Sequence, residues 1–358
     1  MKPRRGGNVP TLADVAREAG VSKMAASYAL NGGRSSAGVS AETRERVLAA
    51  AERLRYRPNA SARALASQRT NAIGFIANFS GEDANVYFLD VFNGIIRGAT
   101  DAGQTTSVFP LNSWLEAPTR MPALCDGRVD GLVVLAPQLE DDCIAWMPTH
   151  TPMVSVHANQ YARGWVNIES DDGEGAYEMV RHMLALGHRR ILYVGGPETF
   201  PAANLRVDGY LRAHAEAGVV PAPDHVARAP FNVEGGKAAL NNWLQHHRGE
   251  PLPEVVFGGN DAIAVGCMEA LLARGLNIPR DISVAGFDHT LLARTRHMAA
   301  VRQPLYEMGR HAVEVLMQLI ETHRQGLPYM GSRNVVLPVK TVLDMTLSEP
   351  RRTPLAIA

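Results

Sequence analysis

Several polar side chains in this chain have the type and placement to hold a small molecule. Asn260 and Asp261 directly follow the apolar run EVVFGG, Asp288 follows SVAGF, and Arg206 follows ILYVGG through PETFPAAN. Short apolar runs closed by glycine read as buried strands. In open α/β sheets ligands bind beyond the carboxyl ends of the strands. An amide, two carboxylates and a guanidinium are therefore expected around one cleft. Two local readings compete with ligand contact. Asp288 and Arg206 could form an ion pair bridging loops, and Asp261 could be the N-cap of a helix over Ala262–Leu272.

The chemistry expected there is binding, not turnover. The sequence has no GxSxG, no P-loop GxxxxGK[ST] and no GxGxxG. The cleft residues include no nucleophile with an adjacent base. The histidines show no HExxH spacing, and Cys125, Cys143 and Cys267 lie far apart with no CxxC. A metal site is therefore not expected, and the cysteines read as buried, reduced thiols. His188, in LGHRR, reads as structural at a helix end.

The elements that would position these residues alternate along the chain. IGFIA, TSVFPL, GLVVLA, PMVSV, ILYVGG, EVVFGG and SVAGF are strand-like. Helical stretches fall around Val86–Ala102, Gly173–Leu186, Leu205–Ala217 and Ala262–Leu272. That alternation predicts βαβ units and parallel sheets. The stretch is long for one such unit, so two lobes are expected. No run of about 20 apolar residues is present to span a membrane. The N-terminus is basic without an apolar h-region, so no signal peptide is evident.

Composition separates a different N-terminal part. The 358 residues are 46% hydrophobic and net neutral. Residues 1–70 nevertheless hold 13 Lys and Arg against 5 Asp and Glu, a net charge of +8, and the remainder carries −8 (23 against 31). A basic end on an acidic body fits nucleic-acid binding joined to another task. Within it, Thr11-Leu12-Ala13-Asp14 reads as a helix start capped by a hydroxyl, with an acid three residues on. Gly20 supplies a turn, Val21 an apolar plug, and Ser22 can cap a second helix running to about Leu30 and ended by Asn31-Gly32-Gly33. A third helix starts near Ser40 and carries Val47, Leu48, Ala51 and Leu54 on one face. This is a helix-turn-helix pattern. Its second helix would put Lys23, Met24, Ser27 and Tyr28 on base edges and phosphates of a major groove.

The stretch TLADVAREAGVSKMAASYALNGG…VSAETRERVLAAAERLRYRPNASARALASQRTNAIGFI resembles, in order and spacing, the LacI/GalR family of bacterial transcription regulators. The resemblance extends through NVYFLDVFNGIIRGA, RVDGLVVL, LALGHRRILYVGGP, GGNDAIAVG, ISVAGFD and VRQPLYEMG. It implies an N-terminal all-α helix-turn-helix headpiece plus an α/β periplasmic-binding-protein-like core of two Rossmann-like lobes. The expected divisions are a flexible tail over 1–9, a DNA-binding domain over 10–57, a hinge helix and linker over 58–71, a core over 72–346 and a tail over 347–358. Lobe one would take 72–169 plus 301–331, and lobe two 170–300 plus 332–346.

The resemblance also implies roles. DNA would be met by Thr11, Ser22, Lys23, Met24, Ser27, Tyr28 and Asn31, and by the hinge residues Asn59, Arg63, Leu65 and Ala66. So short a hinge helix does not hold in water by itself. It would order when paired with its twin on DNA, where Leu65 would wedge into a minor-groove step; the alternative is that Leu65 packs against the core or the partner hinge. Three positions depart from the family pattern: Ala25 and Ala26 stand where Thr and Val are usual, and Tyr28 where Arg is frequent. The operator is therefore not transferable. An effector would be held by Arg206, Asn260 and Asp288, stacked on Phe231, with Phe79, Phe88, His157 and Gln303 placed by position. Asp, Arg and Asn there could take hydroxyls, a carboxylate or ring nitrogens; a sugar or sugar derivative is expected first, and a nucleobase or nucleoside second. No other cofactor is expected. The closing MTLSEPRRTPLAIA has two prolines and no heptad, so a homodimer is expected. The expected setting is the cytoplasm, at the nucleoid. A transport receptor shares the core fold, but the basic headpiece argues against it.

Overall fold

The computed structural model describes residues 10–31, 39–78, 86–145, 147–160 and 162–357. The chain divides into two compact units, Met1–Thr70 and Asn71–Ala358. The tail expected over 1–9, the glycines expected to end the second helix, and Phe79 lie outside the described residues.

The first unit is built from α1 (Leu12–Ala19), α2 (Lys23–Asn31), α3 (Ala41–Arg53) and α4 (Ala60–Ser67). Each start has a local cause. Thr11 Oγ1 accepts from Asp14 N, and the Asp14 carboxylate accepts from Thr11 N at 2.9 Å, a complete capping box. Ser22 Oγ accepts from Ala25 N at 3.1 Å, and Ser40 Oγ from Thr43 N at 3.2 Å. Gly20 sits at φ +65°, the left-handed turn that lets α1 and α2 meet. The core is made of small side chains: Val15, Ala16, Ala19, Ala26, Ala29, Val47, Ala50 and Ala51. Alanine at these positions permits close helix approach. In α4, Asn59 Oδ1 caps Ala62 N at 3.2 Å, and Gln68 closes the helix at φ +51°.

The second unit holds two six-stranded sheets. In the first, β1 (Ala72–Asn78), β2 (Thr105–Leu111), β3 (Gly131–Leu135), β4 (Met153–Val156), β5 (Val166–Ser170) and β11 (Asn334–Leu337) lie in the order β11-β5-β4-β3-β1-β2, all parallel. In the second, β6 (Ile191–Gly195), β7 (Val226–Arg228), β8 (Val255–Gly258), β9 (Ser283–Asp288), β10 (Ala299–Arg302) and β12 (Lys340–Val342) lie in the order β12-β10-β9-β8-β6-β7, with only β12 antiparallel. Each sheet thus has the doubly wound order whose switch point lies between its first and third strands. The strands GLVVL and ILYVG are buried throughout, as strands covered on both faces must be.

In lobe one, α5 (Val86–Asp101) and α13 (Leu305–Arg324) cover one face, and α6 (Ala117–Leu124) and α7 (Asp141–Ala145) lie toward the other. In lobe two, α8 (Asp172–Ala185) and α9 (Pro201–Glu216) cover one face and α10 (Val233–His246) and α11 (Asp261–Leu272) the other, with the short α12 (Leu291–Arg294) beyond β9. α5 and α13 cross at glycines. A Cβ on Gly309 would lie 2.1 Å from Val91 O, and one on Gly94 2.0 Å from Tyr306 O.

The lobe boundaries differ from the expected ones. β10, residues 299–302, pairs with β9 and belongs to lobe two, although 301 was expected to open a lobe-one segment. β11, residues 334–337, pairs with β5 and belongs to lobe one, although lobe two was expected to resume at 332. The chain therefore passes between lobes at 170–172, 302–305 and 337–340. The expected tail over 347–358 is also corrected. Ile357 is buried with α10 and α11, Ala356 bridges Pro251, and Ser348 O accepts from His188 Nε2 at 2.8 Å. That bond accounts for the buried His188 as structural.

Candidate functional site

On the first unit, α2 turns Ala26 and Ala29 into the core and leaves Lys23, Met24 and Tyr28 outside. Met24 is 68% and Tyr28 51% exposed, an apolar and aromatic pair without internal packing duty. Ser22 is exposed and Ser27 half-buried on the same outward side. Ala26, where valine is usual, is fully buried, so that departure is a packing change. Ala25 is half-buried, so only there is a surface hydroxyl missing. Thr11 donates both its amide and its hydroxyl to Asp14 Oδ2, at 2.9 and 2.7 Å. The Thr11–Asp14 box is thus helix-starting first. Asn31 ends α2 and Ala66 lies in α4, but their side chains are outside the described residues. Arg63 is exposed, and Leu65 is 85% exposed on α4, outside the core of the first unit.

On the second unit, one cavity of about 180 Å3 lies between the lobes, at the carboxyl ends of both sheets. It is lined by Tyr87 and Phe88 of α5, His157 after β4, Glu169 on β5 and Asp172 at the start of α8. From lobe two come Phe200, Leu205 and Arg206 at α9, and Phe231, Asn260 and Asp288. Six of the eight sequence-predicted residues thus converge. Gln303 does not line the cavity. It is 3% exposed and stands behind, donating to Asp288 Oδ1 at 2.5 Å and accepting from Ser170 Oγ at 2.7 Å.

Arg206 lies in a helix, not after a loop, because α9 already begins at Pro201. Its Nε and Nη2 both reach Asp172 Oδ1 at 2.7 Å, its Nη1 donates to Gly259 O, and Asp288 Oδ1 is 3.9 Å away. Its guanidinium stacks 3.8 Å from the Phe287 ring centroid. The ion pair considered from sequence exists, but its main partner is Asp172, which sequence reasoning missed. Asp288 and His289 take φ +103° and +56°, and His157 +52°. Non-glycine residues in that region store strain, which collects at ligand sites. Burial pushes the Asp288 carboxyl well above its ordinary range, against the pull of Arg206.

The expected capping role of Asp261 is corrected. Asn260 is the N-cap, its Oδ1 accepting from Ile263 N at 2.8 Å, so its amide nitrogen is the group left for a ligand. Asp261 is the first helical residue. Its Oδ2 accepts from Thr290 N and Oγ1 at 2.6 and 2.8 Å, and its Oδ1 is buried without a hydrogen-bond partner. Burial raises its pKa to about 7.

Tyr87 is the second residue sequence reasoning missed. His157 Nε2 lies 3.0 Å from Ser170 Oγ and 3.2 Å from Ser170 N. His157 Nδ1 is hydrogen-bonded to the Tyr87 hydroxyl, which lines the cavity. Burial lowers the His157 pKa to about 4, which keeps the imidazole neutral. Phe231 lies over Gly196 and meets Phe200 edge to face at 5.4 Å, lining the cavity while resting on the lobe-two core.

Comparison with known proteins agrees with both units. Residues 11–59 match the family model of bacterial regulatory proteins, lacI family, and residues 180–340 that of the periplasmic binding protein-like domain. The HTH-type transcriptional repressor PurR of Haemophilus influenzae (strain PittEE) is 30% identical over 335 residues, 92% of this chain and 96% of that protein. The chain belongs to the LacI family. Catabolite control protein A of Priestia megaterium is 28% identical over 321 residues, covering 86% of this chain and 91% of that protein. Among solved structures, the Lac repressor dimer bound to operator and the anti-inducer ONPF matches 95% of this chain and 99% of that one, with a TM-score of 0.80 at 27% identity. As a LacI-family member the protein is a DNA-binding transcriptional regulator with a ligand-binding core, not an enzyme.

Proposed function

We propose that the protein is a dimeric repressor whose operator affinity is set by a compact, uncharged polyhydroxyl ligand, a sugar or sugar derivative, in the cavity between the lobes. The observation that carries the ligand class is the commitment of Arg206. Three of its five N–H donors go to Asp172 and Gly259, and the Asp172 carboxylate at 2.7 Å already neutralises its charge, so it offers a carboxylate or phosphate no uncompensated cation. The remaining polar lining is Glu169, Asp172, Asp288, the Asn260 amide and the Tyr87 hydroxyl. A site so rich in acceptors suits a ligand with many O–H donors and disfavours an anion. At about 180 Å3 the cavity is smaller than the roughly 300–1,000 Å3 of drug-sized sites, which favours a monosaccharide-sized occupant. The aromatic pair Phe88 and Phe231 supports the second reading, a nucleobase held by stacking.

Two-fold symmetry of a dimer matches a palindromic site, as in the operator-bound Lac repressor dimer. A protein acting on operator DNA works in the cytoplasm, at the nucleoid. Selection of genomic fragments by the full-length protein, at near-physiological salt, tests the DNA side. Enrichment of a short palindrome is expected, and absence of any enriched site, with and without candidate ligands, counts against it. Thermal-shift screening of neutral sugars against sugar acids, sugar phosphates and nucleobases tests the ligand class. Stabilisation by charged sugars alone would overturn it.

A further inference from the structure

A second cavity, of about 560 Å3, lies in lobe one at the amino-terminal ends of β5 and β11 and shares no lining residue with the first. Arg163, in the turn before β5, and Arg333, just before β11, both line it and are exposed. Arg333 is held in place. Its Nη1 donates to Gly164 O at 2.6 Å, and its guanidinium lies 5.2 Å from the Tyr329 ring centroid. Trp165 forms a wall and is 8% exposed. The floor is polar. Ser155 and Asn167, each 2% exposed, lie on a sheet face that is elsewhere apolar, beside Met153 and Leu132. Among the described residues no carboxylate lines this cavity.

The Ser155 hydroxyl donates to Asn167 Oδ1 at 3.0 Å, so the anion-receiving groups are the two guanidinium forks; with no carboxylate in the lining they make a receptor for a tetrahedral oxyanion, because planar forks match phosphate oxygens in pairs. Asn167 ties this cavity to the first. Its Nδ2 donates to Glu169 Oε1 at 2.7 Å, and its Oδ1 accepts from Ala158 N at 3.3 Å; Glu169 and Ala158 both line the interlobe cavity. β5 and β11 also run directly into two of the three crossovers. We propose that this cavity is a second ligand site, for a small phosphate-bearing metabolite, coupled to the interlobe cavity through Asn167 and Glu169. An anion that draws Arg163 toward Arg333 clamps β5 to β11 and resets Glu169, and linkage makes the effect reciprocal. The coupling rests on the interlobe cavity being the effector site; the anion site itself does not.

The test is calorimetric titration of the full-length protein with inorganic phosphate and with glycerol 3-phosphate, against chloride at equal ionic strength. Saturable binding is expected, tighter for the ester if the site serves a metabolite. The Arg163→Gln, Arg333→Gln variant, whose changes are on exposed side chains, should raise Kd about tenfold or more. Asp288→Asn should bind phosphate as the parent does. Hydrogen exchange over residues 166–172 should slow on phosphate binding in the parent and not in Asn167→Ala. Binding no different from chloride, or unchanged in the double arginine variant, overturns the site. Binding lost in Asp288→Asn overturns it as well, by placing the anion in the interlobe cavity, and contradicts the neutral-ligand reading too. Unchanged exchange in the parent overturns the coupling.

Discussion

Arg206 places both its Nε and its Nη2 on one oxygen of Asp172, at 2.7 Å, with the two residues 5% and 2% exposed. A charge pair at that depth holds only while complete. Removing one partner of a buried pair leaves an uncompensated charge and costs about 3–5 kcal/mol. Arg206→Ala should therefore lower stability by that order in urea denaturation, because Asp172 and Asp288 both lose their cation. Asp288→Asn keeps the shape and removes no cation. It should retain the fold and operator binding while abolishing the effector response. A normal response in Asp288→Asn would show that the ligand does not touch this carboxyl.

Asp261 makes a pH prediction. Burial raises its pKa in the folded chain to about 7, against 3.8 as the ordinary value. Between those values the folded state holds more protons than the unfolded one, so this residue's contribution falls as pH rises through the window. Asp261→Asn lacks that fall. The stability of the variant relative to the parent should grow from about pH 4 to about pH 7, by up to about 1.4 kcal/mol per pH unit. Urea melts across that range measure it, and a difference constant with pH would show that Asp261 stays ionised in the fold.

Leu65, 85% exposed, contributes nothing to the core of the first unit. Leu65→Ala should leave thermal stability unchanged and weaken specific operator binding about tenfold or more. Salt-sensitive binding to random duplex should be largely kept, because that is carried by phosphate contacts. Equal loss on both DNAs would mean that Leu65 supports the hinge rather than the kink.

Gly266 of α11 faces Val233 of α10 so closely that a Cβ there would lie 1.9 Å from Val233 O. Gly266→Ala must push the two helices apart, at a cost of about 1–3 kcal/mol. Because α10 and α11 follow Phe231 and Asn260, ligand affinity should fall with stability. A drop in melting temperature with unchanged affinity would show that these helix starts are held by the sheet instead.

Much of this was legible in the sequence because it is local. Thr11, Ser22, Ser40 and Asn59 announce helix starts that depend on the next few residues alone, and EVVFGG or SVAGF announce buried strands. What was not legible depends on distant partners. Asp172, in ESDDGEG, reads as an ordinary acid at a helix start; its role appears only when Arg206, from another helix, folds onto it. Asn260 and Asp261 are adjacent acceptors, and which one caps the helix is decided by Thr290, which claims Asp261. The strands at 299–302 and 334–337 are short, so neither shows which sheet it joins. Tyr87 stands next to Phe88 and carries no signal that separates it until its hydroxyl is found paired with His157.

The three passages between lobes also govern the order in which the chain can acquire structure as it is synthesised. The helices over 12–53 close a core of their own and can form while the rest is still being made. Neither lobe can do so. Lobe one waits for its edge strand at 334–337, and lobe two for Ile357, which completes the core between α10 and α11. A message cut short, or a nascent chain released early, would thus yield a headpiece that recognises DNA with no cavity to control it. The arrangement makes synthesis of the segment from β11 to Ile357 the condition for sensing, though not for folding of the DNA-binding unit.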